Sequence, residues 1–204
     1  LYKKQNMKNL YTTLLQDSKS WRMEIANAVK EFDFKIIVSV LESHSVTSKK
    51  IKGRKPDLSR YAFTNGLMRY ALHVKESEAN TAQVILDWPD KGDPQPFDSE
   101  YAYAYVSGKS KEGNVPYHSG ALEQLNFFDC ATFVNMNHST ILQFADLVLG
   151  ATREVVECAI GKKNSGLGVD FVKKLASNYR GYPDNILGHG ISVACSNSST
   201  LKTD

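Results

Sequence analysis

Short runs rich in β-branched and aromatic residues alternate along this chain with longer stretches of helical periodicity. Phe34-Lys35-Ile36-Ile37-Val38-Ser39-Val40-Leu41, the run Ala82 to Asp87 and the run Phe127 to Val134 read as strands. Between the first two, Asp57 or Ser59 is placed to cap a helix reaching about Val74, with Tyr61, Leu67, Met68 and Ala71 in its apolar stripe. Strand, loop, long helix, strand is the pattern of a mostly parallel layer covered by helices, so the chain is expected to be α/β. With 204 residues, 42% hydrophobic and 23% charged, it has enough apolar material for one domain with a sizeable core.

The remaining elements follow the same logic. Residues from about Gln5 to Glu31 read as an N-terminal helical part, broken near Asp17-Ser18, so that 1–33 precedes the first strand. Asp98 starts a helix over Glu100 to Val106, and Ser119 to Leu125 is a short one. Ser139 or Thr140 caps the strongest helix, which runs to about Ile160; Thr140 with Gln143 matches a capping box. Gly168 to Tyr179 is a last amphipathic helix, Ile191 to Ala194 a small strand, and 196–204 a polar tail expected to fray. No repeat or linker divides the chain. No run reaches the roughly 18 apolar residues of a membrane span. The three cysteines, Cys130, Cys158 and Cys195, lack metal-type spacing, which favours a reducing, cytoplasmic setting; Cys130 and Cys158 read as small core residues. The chain opens on Leu1, which leaves room for residues ahead of it.

Two aspartates stand in runs that look buried. Asp87 closes Val84-Ile85-Leu86 at the carboxyl end of a strand, where ligands collect in open α/β sheets; turn formation into Trp88-Pro89 explains it equally well. Asp146 interrupts Ile141-Leu142-Gln143-Phe144-Ala145-Asp146-Leu147-Val148-Leu149-Gly150-Ala151. Its simpler reading is an ion pair with Arg153 or with a lysine at the edge of the apolar face. Buried carboxylates are normally paired, hydrogen-bonded or metal-bound, so two of them facing one cleft would suit a divalent cation. Gly150, one turn beyond Asp146, leaves room for a close approach. Gln143 serves the capping box or orients Asp146, and His138, just ahead of the helix, is a supporting candidate or simply a surface residue. Asp90 and Asp93 follow in the next loop, and Glu42 is a weaker third acid.

Formal net charge is only +3, but Lys49, Lys50, Lys52, Arg54 and Lys55 crowd into one segment. That cluster is suited to phosphates, although a solvated loop accounts for it more simply. No histidine pair has zinc spacing, no Gly-x-Ser-x-Gly elbow is present, and Gly161-Lys162-Lys163-Asn164 lacks the order of a phosphate loop.

The segment His138 to Ala151, with its Ser, then Leu-Gln-Phe-Ala-Asp, then small residues, resembles the last motif of the "domain of unknown function 3800" family. The strand ending in Asp87 is similar to that family's middle motif. The resemblance spans roughly Phe34 to Ala159 and implies a ribonuclease H-like fold, a mixed sheet flanked by helices. It further implies a two-metal nuclease, with Asp87 and Asp146 as catalytic ligands of Mg²⁺ or Mn²⁺ and nucleic acid, RNA or DNA, as partner. The family's opening Asp-Glu-Ser-Gly strand has no counterpart: Phe97-Asp98-Ser99-Glu100 differs in order and place. The first strands therefore precede Leu1, lie in another segment, or mark an inactive relative. The alternatives are a non-catalytic nucleic-acid-binding module, or an interaction subunit using Tyr101, Tyr103 and Tyr105.

Overall fold

The computed structural model describes residues 17–41, 55–88, 92–162, 164 and 166–194. The order is α1 (Ser18–Val29), β1 (Val38–Leu41), α2 (Lys55–Glu76), β2 (Ile85–Asp87), α3 (Gln95–Ser107), β3 (Thr132–Val134), α4 (Thr140–Ala159), α5 (Leu167–Lys174), a short kinked helix α6 (Ile186–His189) and β4 (Ile191–Ala194). Single 3-10 turns lie at Leu122–Leu125, Met136–His138 and Ala176–Asn178. No described helix is long and apolar enough to cross a membrane.

The α/β expectation holds at this level. The strands, however, form two separate parallel pairs among the described residues, and the single mixed sheet is not seen. β1 pairs with β4 in the register Val38↔Ile191 to Leu41↔Ala194. β2 pairs with β3 in the register Ile85↔Thr132 to Asp87↔Val134. Isolated parallel bridges lie ahead of β1 and β2, Ile36↔Tyr179 and Ala82↔Phe127. β1 and β2 are not paired; a cavity of about 500 Å³ is bordered by Ile37, just ahead of β1, and by Val84 and Leu86.

Each pair has its own core. Leu67, Ala71 and Val74 of α2 pack with Val84, Tyr101, Ala104, Leu122 and Phe127. Ile36, Val38 and Ile191 pack with Val148, Ala151, Val156, Phe171, Leu175 and Tyr179. Helix α2 belongs to both regions through opposite faces. At about 100° per residue, Asn65, Arg69 and Glu76 lie on one stripe and Leu67, Ala71 and Val74 on the other side. The polar stripe holds the β1–β4 side: Asn65 Oδ1 accepts from Ser39 Oγ (2.8 Å), Ser192 Oγ (3.2 Å) and Arg69 Nε (3.0 Å). Arg69 also donates to the Gly188 carbonyl, and Glu76 pairs with Arg180 at 2.6 Å.

The second core contains a polar pair. Thr152 is 0% exposed, and its hydroxyl donates to the Val148 carbonyl at 2.8 Å. That uses its only proton, so in the 2.6 Å contact between Thr152 Oγ1 and Tyr179 Oη the tyrosine donates. Thr152→Val strands a buried tyrosine hydroxyl and is expected to cost about 1–3 kcal/mol, whereas Tyr179→Phe removes only the donor and costs about 1 kcal/mol. The double variant should be less destabilised than the two single losses combined; additive losses in denaturant melts would show that the pair is not coupled.

Burial pushes the Tyr179 hydroxyl up to about 12, partly offset by Thr152, and raises Tyr101 and Tyr117 further still. A tyrosine whose pKa is raised by folding contributes stability below its unfolded value near 10 that is lost as pH climbs through the folded value. Thermal stability should therefore fall steadily from about pH 10 to 12, and more gently in Tyr179→Phe. A flat profile in calorimetry over that range would contradict it.

Candidate functional site

The two acids picked out by sequence are both exposed, which corrects the expectation that they are buried. A two-stranded parallel pair covers only one face. Along β2, Val84 turns inward while Ile85 is 49% exposed and Asp87 points the same way as Ile85. In α4, the buried residues Val148, Ala151, Thr152 and Val156 recur at helical spacing, and Asp146 lies across the helix from Val148. Ile141, 79% exposed, and Leu149 make the sequence look apolar all round without being core.

Asp87 nevertheless reaches the start of α4. Its Oδ1 accepts the Met136 backbone N–H at 2.7 Å, and the Nε2 of Gln143 donates to the carbonyl of the same Met136 at 3.2 Å. The strand-end acid and the first turn of α4 are thus gripped to one residue of the connecting turn. Ser139 is the N-cap and accepts from Leu142 N at 3.3 Å. The capping box expected from Thr140 and Gln143 is not formed, because Gln143 turns back to Met136. His138 sits in that turn, exposed.

Asp146 stands one turn further on and faces a cavity of about 410 Å³ between α1, α4 and α5. Arg22, Arg153, Glu154 and Gly168 also line this cavity. The expected Asp146–Arg153 pair is replaced by Arg153 Nε on Glu157 at 2.8 Å, and Glu154 Oε2 accepts the Gly168 N–H at 2.6 Å where α5 begins. The tight helix approach anticipated at Gly150 occurs elsewhere. A Cβ on Gly150 would meet nothing within 4 Å, whereas one on Gly168 would lie 2.7 Å from the Ala151 backbone.

Among the described residues no three His, Cys, Asp or Glu side chains group so as to hold a metal ion. Asp93 Oδ1 accepts Gln95 N at 3.0 Å and so serves the start of α3. Asp90, Glu42, Cys195 and the basic residues Lys49, Lys50, Lys52 and Arg54 lie outside the described residues, and Lys55 opens α2. Cys130 is exposed, not a core residue; slight desolvation, then the neighbouring Asp129 and Asp98, raises its thiol. Tyr101 is also removed from the proposed interface: it is fully buried and donates to the Phe128 carbonyl at 2.6 Å. Tyr103 remains exposed, bound to Asn114 at 2.9 Å.

Sequence reasoning passed over Glu100, which is only 3% exposed inside α3. The signal was present, since Phe97, Glu100, Tyr101 and Ala104 form one helical stripe with an acid in it.

The Asp87–Met136 bond is testable by itself. Asp87→Asn retains an oxygen for the Met136 N–H and should melt within about 0.5 kcal/mol of the parent, while Asp87→Ala should lose about 1 kcal/mol in denaturant titration. Equal melts for Ala and the parent would show that the bond holds nothing. The chain matches no protein-family model, no curated protein and no solved structure.

Proposed function

We propose that this chain is a divalent-cation-dependent nuclease of ribonuclease H-like architecture, related to the "domain of unknown function 3800" proteins. The observation that supports the reading is the shared grip of Asp87 and Gln143 on Met136, which brings the strand-end carboxylate to the helix that carries Asp146.

The residues fit one ion better than two. Mg²⁺ keeps several waters and is commonly bound through one or two carboxylates together with substrate phosphate, which suits exposed acids. Two carboxylates cannot satisfy two ions at once. Asp87, with Oδ1 committed to the Met136 N–H, would offer Oδ2; Asp146 would offer its carboxylate from the next turn of α4, at the cavity between α1, α4 and α5 whose lining does not include Asp87. Gln143 fixes the Met136 carbonyl and so the turn between them. The bound cation supplies charge against the phosphate and favours ionised water. The segment Lys49 to Lys55 supplies phosphate contacts.

A second reading has its own support. Asp87 is already employed as a backbone acceptor, and no third ligand accompanies the two acids among the described residues. These features suit a non-catalytic nucleic-acid-binding module.

Purified protein should cleave RNA or single-stranded DNA only with Mg²⁺ or Mn²⁺, and Mn²⁺ binding should be visible by spin resonance. Asp87→Asn and Asp146→Asn should each lower cleavage by about 100-fold or more and weaken Mn²⁺ binding, with melting unchanged. Parent-like cleavage by either variant would end the nuclease assignment. Binding of nucleic acid that survives EDTA, without cleavage, would establish the second reading.

A further inference from the structure

The loop after α3 closes on itself as a small hairpin. Lys109 bridges Pro116, Ser110 N donates to the Val115 carbonyl at 2.8 Å, and the Ser110 hydroxyl accepts Val115 N at 3.0 Å. Gly108, at φ 63°, makes the turn out of the helix; a Cβ there would lie 2.7 Å from Ala121 N. The hairpin is seated on α3 by Glu100, whose Oε2 accepts Lys111 N at 3.0 Å. The other oxygen, Oε1, is buried and has no hydrogen-bond partner. The Tyr117 hydroxyl is in the same condition, and its neighbour Glu100 adds to the burial that raises it.

Glu100 forms part of the wall of a cavity of about 250 Å³ between α2, α3 and the hairpin, shared with Arg60, Tyr61, Met68, Glu112 and Val115. The charges there are unequal. Arg60 is neutralised by its ion pair with Glu112, so Glu100 is the charged lining residue without a counter-ion among those described. The apolar lining comes from Tyr61, Met68 and Val115, with Tyr61 partly open to solvent.

We propose that this cavity binds a small organic monocation, a primary ammonium on a short apolar body, whose head donates to Glu100 Oε1. The site offers one carboxylate oxygen, not two, because Lys111 N–H occupies the other. A single acceptor suits an ammonium, which donates from a point, and not the paired fork of a guanidinium. A bare divalent cation would need several more oxygens. The volume lies below the usual range for drug-sized ligands, roughly 300–1,000 Å³, so the occupant is small. The ring of Tyr61 is available to the cation or its alkyl chain.

The probes are n-butylammonium and phenethylammonium, each set against its alcohol, n-butanol or phenethyl alcohol. The ammonium ions should raise the melting temperature in a dose-dependent way and the alcohols should not. In NMR titrations of the unaltered chain, the amides of Lys111 and Val115 should shift with the ammonium ions alone. Glu100→Gln keeps an oxygen for Lys111 N–H but turns an amide NH₂ toward the cavity, and should weaken binding by about tenfold or more. Glu112→Gln, at an exposed position, leaves Arg60 unneutralised and should weaken it about threefold or more. Equal responses to amine and alcohol, or unmoved Lys111 and Val115 amides in the folded chain, would overturn the proposal. So would parent-like affinity in folded Glu100→Gln; if that variant does not fold, Glu112→Gln and the titration of the unaltered chain decide.

Discussion

The double-sided packing of α2 is the interaction on which the arrangement depends. Two parallel strand pairs, each too small to be stable alone, are joined because one helix buries Leu67, Ala71 and Val74 against one pair and sets Asn65, Arg69 and Glu76 against the surroundings of the other. The two attachments differ in kind. The apolar stripe is non-directional and worth about 1.5–3 kcal/mol for each large side chain removed from water. The polar stripe is directional and sets the angle of approach: Asn65 Oδ1 receives both Ser39 and Ser192, so a single side chain reads the register of β1 against β4. A helix held by apolar contacts on both faces would be freer to slide, because hydrophobic burial fixes area more strongly than position.

The same division between area and direction governs the approach of Asp87 to α4. The β2–β3 register already sets Asp87 beside Val134, two residues before Met136; the hydrogen bond that Met136 N–H donates to Asp87 then directs the turn that follows, with Gln143 closing it from the other side. The turn 136–138 therefore sits between two side chains from different elements. Displacement of either moves the N-terminus of α4, and with it the wall of the cavity that contains Asp146.

Much of the element order was legible in the residues. The strand at Ile191 to Ala194, the helix beginning after Ser139 and the long helix ending near Val74 were all marked by local composition and caps. What could not be read was which side of each element faces in. Val84-Ile85-Leu86 reads as a strand covered on both faces, yet its partner layer covers only one, and Ile85 remains open. Ile141 and Leu149 disguised the outer face of α4 in the same way. The failure of one continuous sheet has a similar origin, since pairing of β1 with β2 depends on how α2 spaces them, and a cavity lined by Gly66 and Tyr70 of α2 is bordered by Ile37 and Leu86. Glu100 was missed for the opposite reason: an acid among aromatic residues reads as the solvent edge of a helix until the hairpin 109–116 is laid over it.

That concealed acid is a costly feature of the fold. A buried acceptor with no partner costs about 1–3 kcal/mol, and more when it is charged, against a total stability of only about 5–15 kcal/mol. Seating the hairpin needs one oxygen of Glu100, and a glutamine would serve it equally, with an amide in place of the buried carboxylate. The second oxygen, in the wall of a small cavity whose other charges are already paired as Arg60–Glu112, is therefore not explained by the hairpin. A cationic occupant would account for that oxygen, because it removes the desolvation penalty that an unpaired carboxylate otherwise imposes on the folded chain.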